Sequence, residues 1–148
     1  MKTLAKITFL FIVVSFMGGC ASGPTYLEMA PSIRELPQNT GRVYFYRISA
    51  LGAALQPEVK MNNEVVGKAT AQGFFYTDKE PGKYEIMTST EVDRKLSLLL
   101  EAGQTRYVRF GVSMGFFVGH VYPELVSTEE GQEEIKECKF TGNTAENK

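Results

Sequence analysis

The stretch that decides the fold is residues 42–48, with the sequence RVYFYRI. Aromatic and β-branched residues of this kind favour a β-strand. Side chains alternate between the two faces of a strand, so Val43 and Phe45 would point one way and Tyr44 and Tyr46 the other. Both faces are apolar and need cover, which predicts an interior strand that is buried on both sides.

Short strand patterns separated by turns continue along the chain. Between two of them, Asn62-Asn63 tolerates the positive φ of a tight hairpin turn. Residues 80–83, with the sequence EPGK, are typical of a type II turn with Gly82 in the left-handed third position. Six or more strands at this spacing predict an all-β sandwich or small barrel. The predicted strands are residues 58–61, 64–68, 74–77, 84–88, 96–100, 105–112 and 116–126.

The end of the chain predicts one short helix. Ser127 and Glu130 have the spacing of a capping box, and the helix would run to about Cys138. Gly131, Ile135 and Cys138 would form its narrow inner face. Its five glutamates are interpreted as a solvated face, since the oxygen-rich loop of a calcium-binding EF-hand is missing. They are Glu129, Glu130, Glu133, Glu134 and Glu137.

Glycines recur every fourth residue at Gly111, Gly115 and Gly119. This spacing resembles a small-residue motif for packing membrane helices. The uncharged run from Arg109 to His120 is only about half of a membrane span, however. Bulges and close backbone approaches within strands are therefore the preferred interpretation of these glycines.

The start of the chain has the pattern of a secretion signal. Lys2 and Lys6 precede an apolar run at residues 7–16, ITFLFIVVSF. That length suits the central region of a signal peptide, whereas a spanning helix needs roughly 20 apolar residues. Residues 17–20, MGGC, then resemble a lipobox, at which cleavage occurs before a Cys that carries a diacylglyceryl group. The resemblance implies that Cys20 carries lipid; the alternative is ordinary secretion with a cut such as after Ala21.

The charge and cysteine content restrict what the exported part can be. Without the 19 signal residues, 129 of the 148 remain, which suits one domain. Losing Lys2 and Lys6 from 16 basic residues leaves 14 against 17 acidic ones, and this balance gives no electrostatic case for nucleic acid. With Cys20 assigned to lipid, Cys138 has no partner within the chain. It is either a buried apolar residue, which we favour, or a thiol for an intermolecular bridge.

Four segments together resemble a known group of proteins. They are residues 41–47 (GRVYFYR), 59–67 (VKMNNEVVG), 73–76 (GFFY) and 81–86 (PGKYEI). They resemble short bacterial lipoproteins that carry a small β-rich domain of unknown function, over roughly residues 40–140. The hairpin and the following P-G-x-Y-x-I stretch are also similar to immunoglobulin-like and transthyretin-like sandwich modules. Neither resemblance implies an activity.

No candidate catalytic or metal-binding set emerges from the residue pattern. His120 is the only histidine, and a general base would need a nucleophile and an orienting partner beside it. A pairing of His120 with Cys138 has no support in the sequence, so a structural histidine is the default interpretation. We expect no catalytic residue, no cofactor and no metal, with covalent lipid on Cys20 as the only attached group.

We therefore expect four segments. They are a signal peptide (1–19), lipidated Cys20 with a flexible tether containing three prolines (20–40), an immunoglobulin- or transthyretin-like β-sandwich with a terminal helix (41–140) and a polar tail (141–148). Within the tether, residues 26–35 allow a short helical turn, although no pattern requires one. The predicted protein is a non-catalytic binding or structural module of the envelope, anchored in membrane lipid and contacting an envelope protein or cell-wall component. Ala21 after the Cys implies, by resemblance to enterobacterial sorting, the periplasmic face of the outer membrane. The alternative is a cell-wall enzyme with paired carboxylates such as Asp78 and Glu80. The sequence does not indicate an oligomeric state.

Overall fold

The first strand, β1 (Gly41–Arg47), is buried at all seven of its residues. It pairs antiparallel with β4 (Gly73–Lys79) and parallel with β7 (Thr105–Ser113). The computed structural model describes residues 19–88, 94–114 and 119–142 of the chain. Within it, β1 is the middle strand of a five-stranded sheet, as its two apolar faces predicted.

Two sheets form a β-sandwich, which confirms the predicted all-β class. The five-stranded sheet has the order β8-β7-β1-β4-β9, with β8 at His120–Val126 and β9 at Lys139–Phe140. The four-stranded sheet has the order β3-β2-β5-β6. Its strands are β2 (Glu58–Met61), β3 (Glu64–Lys68), β5 (Gly82–Thr88) and β6 (Arg94–Leu100).

The main core lies between the two sheets. Phe45 of β1 stacks on Phe75 with ring centroids 5.0 Å apart and on Phe110 at 6.1 Å. Burial of large apolar side chains stabilises by roughly 1.5–3 kcal/mol each, so this layer holds the two sheets together. The other buried members are Val43, Val59, Met61, Val66, Ala69, Ile86, Leu98, Leu100, Val108 and Val121.

A second apolar layer covers the outer face of the five-stranded sheet. Tyr44 stacks on Tyr107 with centroids 5.3 Å apart, and Tyr26 packs edge-on to Tyr44 at 6.0 Å and to Phe74 at 5.4 Å. Two short helical segments supply the cover, one from each end of the chain. They are α1 (Tyr26–Met29) with the 3₁₀ turn Ala30–Ser32, and α2 (Thr128–Glu134) with the 3₁₀ turn Ile135–Glu137.

This packing corrects the prediction of a flexible tether over residues 20–40. Ala21 is buried, and the backbone of residues 24–26 bonds to the segment around β9. Thr25 and Glu28 form a reciprocal capping box that begins α1. The physical reason is that the outer tyrosines of β1 need cover, and the N-terminal segment provides part of it.

Helix α2 begins at the predicted Ser127 and lies on its predicted face, but only the Ser127 half of the predicted capping box forms, because Glu130 binds Arg109. Ser127 Oγ accepts a hydrogen bond from the backbone N–H of Glu130 at 3.2 Å. Gly131, Ile135 and Cys138 are buried against the sheet. Gly131 is needed there because a Cβ would lie 2.3 Å from Cγ of Tyr107. A glycine that costs an isolated helix about 1 kcal/mol therefore allows this helix to approach the sheet.

One of the two predicted turns is observed and the other is not. Asn62 and Asn63 have φ of 50° and 69°, as a tight hairpin between β2 and β3 requires. Gly82 is not among the residues with positive φ and instead begins β5, so the type II turn predicted there is wrong. Gly111 lies within β7, in agreement with the strand interpretation of its region.

Some predictions fall on residues outside the described ranges. The signal peptide through residue 18, Gly115 and residues 143–148 of the predicted tail are among them. The predicted strand at residues 116–126 is observed from His120 onward as β8. Pro123 does not interrupt it, because β8 is an edge strand, where a missing N–H is tolerated.

Candidate functional site

Cys20 lies where the chain joins the sandwich. Cys20 is exposed to solvent, whereas the next residue, Ala21, is only 8% exposed. Cys20 forms an isolated parallel bridge with Ala71, and the Ala21 N–H donates to the Ala71 carbonyl at 3.0 Å. The thiol therefore lies within one residue of a buried position of the sandwich.

The loop that follows β1, residues 48–57, lies against the same point. Gln56 Nε2 donates to the Gly19 carbonyl at 3.0 Å and to the Ala53 carbonyl at 3.2 Å. A Cβ on Gly19 would lie 2.9 Å from the Ala53 Cβ, so the two backbones are in close contact. Residue 19 and the loop thus fit together without room for a larger side chain.

Arg47 holds this loop in place. It is the last residue of β1, it is fully buried, and it points to the same side as Val43 and Phe45. Its guanidinium donates to the carbonyls of Leu55 (2.7 Å), Ala69 (3.0 Å) and Gly52 (3.0 Å), and also to that of Leu51. Burial lowers the pKa of Arg47, and the four carbonyl dipoles offset the cost of its charge.

Strand directions place several connections at the Cys20 end of the five-stranded sheet. The end of β1 lies opposite the start of β4, because Arg47 pairs with Gly73. Strand β7 runs parallel to β1 and so also finishes at this end, and β8 starts there. We call this region the Cys20 end; the opposite end carries Gly41, Lys79 and Val126.

Cys138 and His120, the two residues considered as a catalytic thiol and base, lie far apart. Cys138 is fully buried beneath α2, and burial raises the pKa of its thiol to about 12. It immediately precedes β9, whereas His120 begins β8 at the opposite edge of the sheet. Four strand spacings of about 4.8 Å separate those edges by roughly 19 Å. The predicted burial of Cys138 is confirmed.

Asp78, one of the two carboxylates of the enzyme alternative, is engaged in an ion pair. Arg42 Nε donates to Asp78 Oδ1 at 2.7 Å and Arg42 Nη2 to Oδ2 at 2.8 Å. The Asp78 carboxylate raises the pKa of Arg42, whose guanidinium also lies 4.6 Å from the ring centroid of Tyr76. Glu80 is exposed, and its backbone carbonyl accepts from the Tyr84 hydroxyl.

Two glutamates of α2 connect the helix to the sheet. Glu134 is half-buried, which corrects its assignment to a solvated face, whereas Glu130 is exposed as predicted. Arg109 Nη1 donates to Glu130 at 2.6 Å and to Glu134 at 2.9 Å, and Arg109 Nε donates to Glu124 at 3.3 Å. The Tyr46 hydroxyl donates to Glu134 at 2.6 Å. Burial and this bond raise the pKa of Tyr46. The remaining glutamates of the group, Glu129, Glu133 and Glu137, are exposed.

A concavity of about 560 Å³ lies on the four-stranded sheet. Its lining includes Asn62, Lys83, Ser97 and Leu99, with Glu85 as its carboxylate. Glu85 accepts a hydrogen bond from Lys95 at 3.0 Å. A single, paired carboxylate does not provide the acid and base that glycoside hydrolysis requires.

Metal-site and membrane-span geometries are also absent from the described ranges. Across residues 19–88, 94–114 and 119–142, no three His, Cys, Asp or Glu side chains gather as metal ligands. Nor does any helix in these ranges have the length and apolar character to cross a membrane.

Sequence reasoning missed two features of the Cys20 end. The first is the capping box of Thr25 and Glu28, whose spacing signals the start of α1; the helical turn allowed at residues 26–35 is observed there. The second is the role of Arg47, for which strand alternation gave the signal. It falls on the inner face with Val43 and Phe45, where a charge needs partners.

Comparison with known proteins identifies the family of this chain. The sequence profile described as "Protein of unknown function (DUF2846)" matches residues 37–121, from before β1 to the start of β8. A Haemophilus influenzae protein, described as uncharacterized, is 28% identical over 133 residues, or 86% of this chain and 79% of the relative. No solved structure matches. Because the profile covers more than half of the sequence, the chain belongs to the DUF2846 family.

Proposed function

We propose that this protein is an envelope lipoprotein, anchored through lipid on Cys20, that acts as a non-catalytic binding or structural module. The observation that carries the proposal is the position of Cys20, exposed at the junction between the signal-like segment and the sandwich. Ala21 already belongs to the folded part. A lipid on Cys20 would project from the domain without disturbing its core.

The sequence before Cys20 supports export and lipidation. Two lysines, a predominantly apolar run of ten residues and the MGGC lipobox resemblance occur in the order that a lipoprotein signal requires. A diacylglyceryl Cys with an acylated amine carries three chains, which is more than the two signals that stable anchoring needs. Placement on the periplasmic face of the outer membrane follows from Ala21 by the sorting resemblance. An immunoglobulin- or transthyretin-like module is the finer fold that we propose for the sandwich.

The engagement of the reactive groups supports a non-catalytic role. The Cys138 thiol is buried, Asp78 is bound by Arg42, and Glu134 is bound by Arg109 and Tyr46. Asp78 and Glu134 are thus engaged by their partners, and the Cys138 thiol is enclosed by the fold. The described part of the chain therefore favours contact with an envelope protein or cell-wall component over hydrolysis by Asp78 and Glu80.

Metabolic labelling with palmitate tests the anchor. Wild-type protein should incorporate label and Cys20→Ser should not, whereas Cys138→Ser should label as wild type does. Equal labelling of wild type and Cys20→Ser would refute lipidation at Cys20.

A complementation experiment tests the role. In cells that lack the native gene, we compare wild type with a secreted, unlipidated version at matched abundance. A localised contact function should be lost in the secreted version even though it folds. Full rescue by that version would argue against a function that depends on the membrane.

A further inference from the structure

An apolar groove lies on the loop that contacts Gly19, the residue before Cys20. It has a volume of about 360 Å³ and is lined by Leu51, Gly52, Ala54, Leu55, Val112, Met114 and Gly119. Residues 51–55 belong to the loop whose Ala53 touches Gly19. The groove and the candidate lipid site therefore share one loop.

The side chains at the rim of this groove are exposed to a degree that is unusual for large apolar residues. Met114 is 80% exposed and Leu51 is 55% exposed, while the nearby Ile48 is 38% exposed. Residues 48–57 and 69–73 contain no Asp, Glu, Lys or Arg. Both stretches connect strands at the Cys20 end and include Ala53, which contacts Gly19, and Ala71, which bridges to Cys20, so these two connections carry only apolar or neutral side chains.

Basic residues lie at the edge of this neutral surface. Lys68 directly precedes the stretch 69–73, and Lys139 pairs with Gly73; both are exposed. Glu58 is the register partner of Lys68 and is exposed beside it. An apolar centre with lysines at its edge is the arrangement that an interfacial membrane contact uses.

The position of the thiol limits how far the domain can stand from the bilayer. Each headgroup layer is about 5–8 Å thick, and consecutive Cα atoms are about 3.8 Å apart. Since Ala21 is already packed in the fold, no spacer separates the lipid from the domain. Residues that surround Cys20 would lie within the headgroup layer once acyl chains enter the hydrocarbon.

We infer that the Cys20 end is a lipid-contacting surface, with Leu51 and Met114 entering the headgroup layer beside the anchor. The inference rests on the proposed lipidation of Cys20. The bilayer is the occupant that the anchor brings to this groove, and its apolar boundary matches the exposed side chains. The contact would fix the orientation of the sandwich, with Gly41 and Lys79 directed away from the membrane.

Tryptophan fluorescence tests this orientation, because the chain contains no Trp of its own. Leu51→Trp places a reporter on the proposed surface. Leu99→Trp is the matched control, because Leu99 is also 55% exposed but lies near the opposite end, next to Leu100, which pairs with Gly82. Met114→Trp provides a second reporter should Leu51→Trp fail to fold.

Each variant is produced as the full precursor, purified with its lipid, and reconstituted into vesicles of phosphatidylethanolamine and phosphatidylglycerol. Flotation after a high-salt wash reports the anchor, and quenching by brominated phospholipids reports contact of the Trp with lipid. We expect all variants to float. The Trp at position 51 or 114 should be quenched several-fold more strongly than that at position 99.

The outcomes separate the two proposals. Flotation of all variants with equal quenching at positions 51, 114 and 99 would overturn the lipid-contacting surface while leaving the anchor intact. Failure of every variant to float would overturn the anchor, and with it this inference.

Discussion

Replacing Arg47 with Met should destabilise the domain and loosen the loop beside Cys20. The substitution keeps an unbranched apolar side chain but removes every hydrogen bond to the carbonyls of Leu51, Gly52, Leu55 and Ala69. The loop would lose the side chain that joins residues 51–55 to Ala69, the residue that follows β3.

The magnitude follows from the burial of those carbonyls. The bond to Ala69 is buried, and an acceptor left unsatisfied there costs about 1–3 kcal/mol. The bonds to the other three are partly buried, so water can replace them at about 0.5–1.5 kcal/mol each. Relief of the buried guanidinium charge returns part of this sum. We expect the free energy of unfolding to fall by about 3 kcal/mol, a large fraction of the roughly 5–15 kcal/mol typical of a domain.

Urea unfolding and amide exchange together measure the effect. The Leu55 N–H donates to the Gly52 carbonyl at 2.9 Å, so its protection reports the loop. Arg47→Lys should recover part of the stability, since an ammonium retains the charge but lacks the planar fork. Arg42→Met is the matched control, because it removes an ion pair at the opposite end and should leave Leu55 protected. Unfolding of Arg47→Met within about 1 kcal/mol of wild type would refute this account of the loop.

Four further predictions concern the layer beneath α2. Gly131→Ala should lower the free energy of unfolding by about 1–3 kcal/mol, because the added methyl group overpacks against Tyr107 and outweighs the better helix propensity of Ala. A variant that is more stable than wild type in urea unfolding would contradict this packing. Tyr46→Phe should cost about 1–2 kcal/mol, because Glu134 loses its hydroxyl donor; no change in urea unfolding would show that bond to be unimportant. Cys138 should react with thiol reagents only on unfolding, and rapid native labelling would disprove its burial. Burial raises the pKa of the Cys138 thiol in the folded state. Its contribution to the free energy of unfolding is therefore complete below pH 9.0, the ordinary pKa of a thiol, and is lost as the pH rises towards about 12. Wild type should therefore lose stability more steeply above pH 9.0 than Cys138→Ala, and parallel curves would contradict this linkage.

Features with a local cause were predictable from the sequence. The two apolar faces of β1 indicated an interior strand, and Asn62-Asn63 indicated a tight hairpin because Asn tolerates positive φ. Gly82 shows the limit of this reasoning. The same residue types permit a left-handed turn, but the pairing of Gly82 with Leu100 draws it into β5.

Features with a tertiary cause were missed. Pro24, Pro31 and Pro37 suggested a flexible tether, yet Pro31 lies within a 3₁₀ turn, which accepts proline in its first positions. The cover for Tyr44 comes from Tyr26, which is far away in the sequence, so no local pattern assigns it. Arg47 was likewise missed because its four acceptors are backbone carbonyls, which carry no sequence signature.

The close fit at residue 19 has a consequence for the order of maturation. A peptidase that cuts between Gly19 and Cys20 must reach the peptide bond whose carbonyl Gln56 binds. In the folded precursor that bond lies against Ala53 and beside the bridge to Ala71. On the proposed lipoprotein pathway, processing must therefore occur before the N-terminal segment docks, or the segment must detach first. Cleavage would then remove Gly19 and release the Gln56 amide, so the mature protein would differ from its precursor at the point where the lipid emerges.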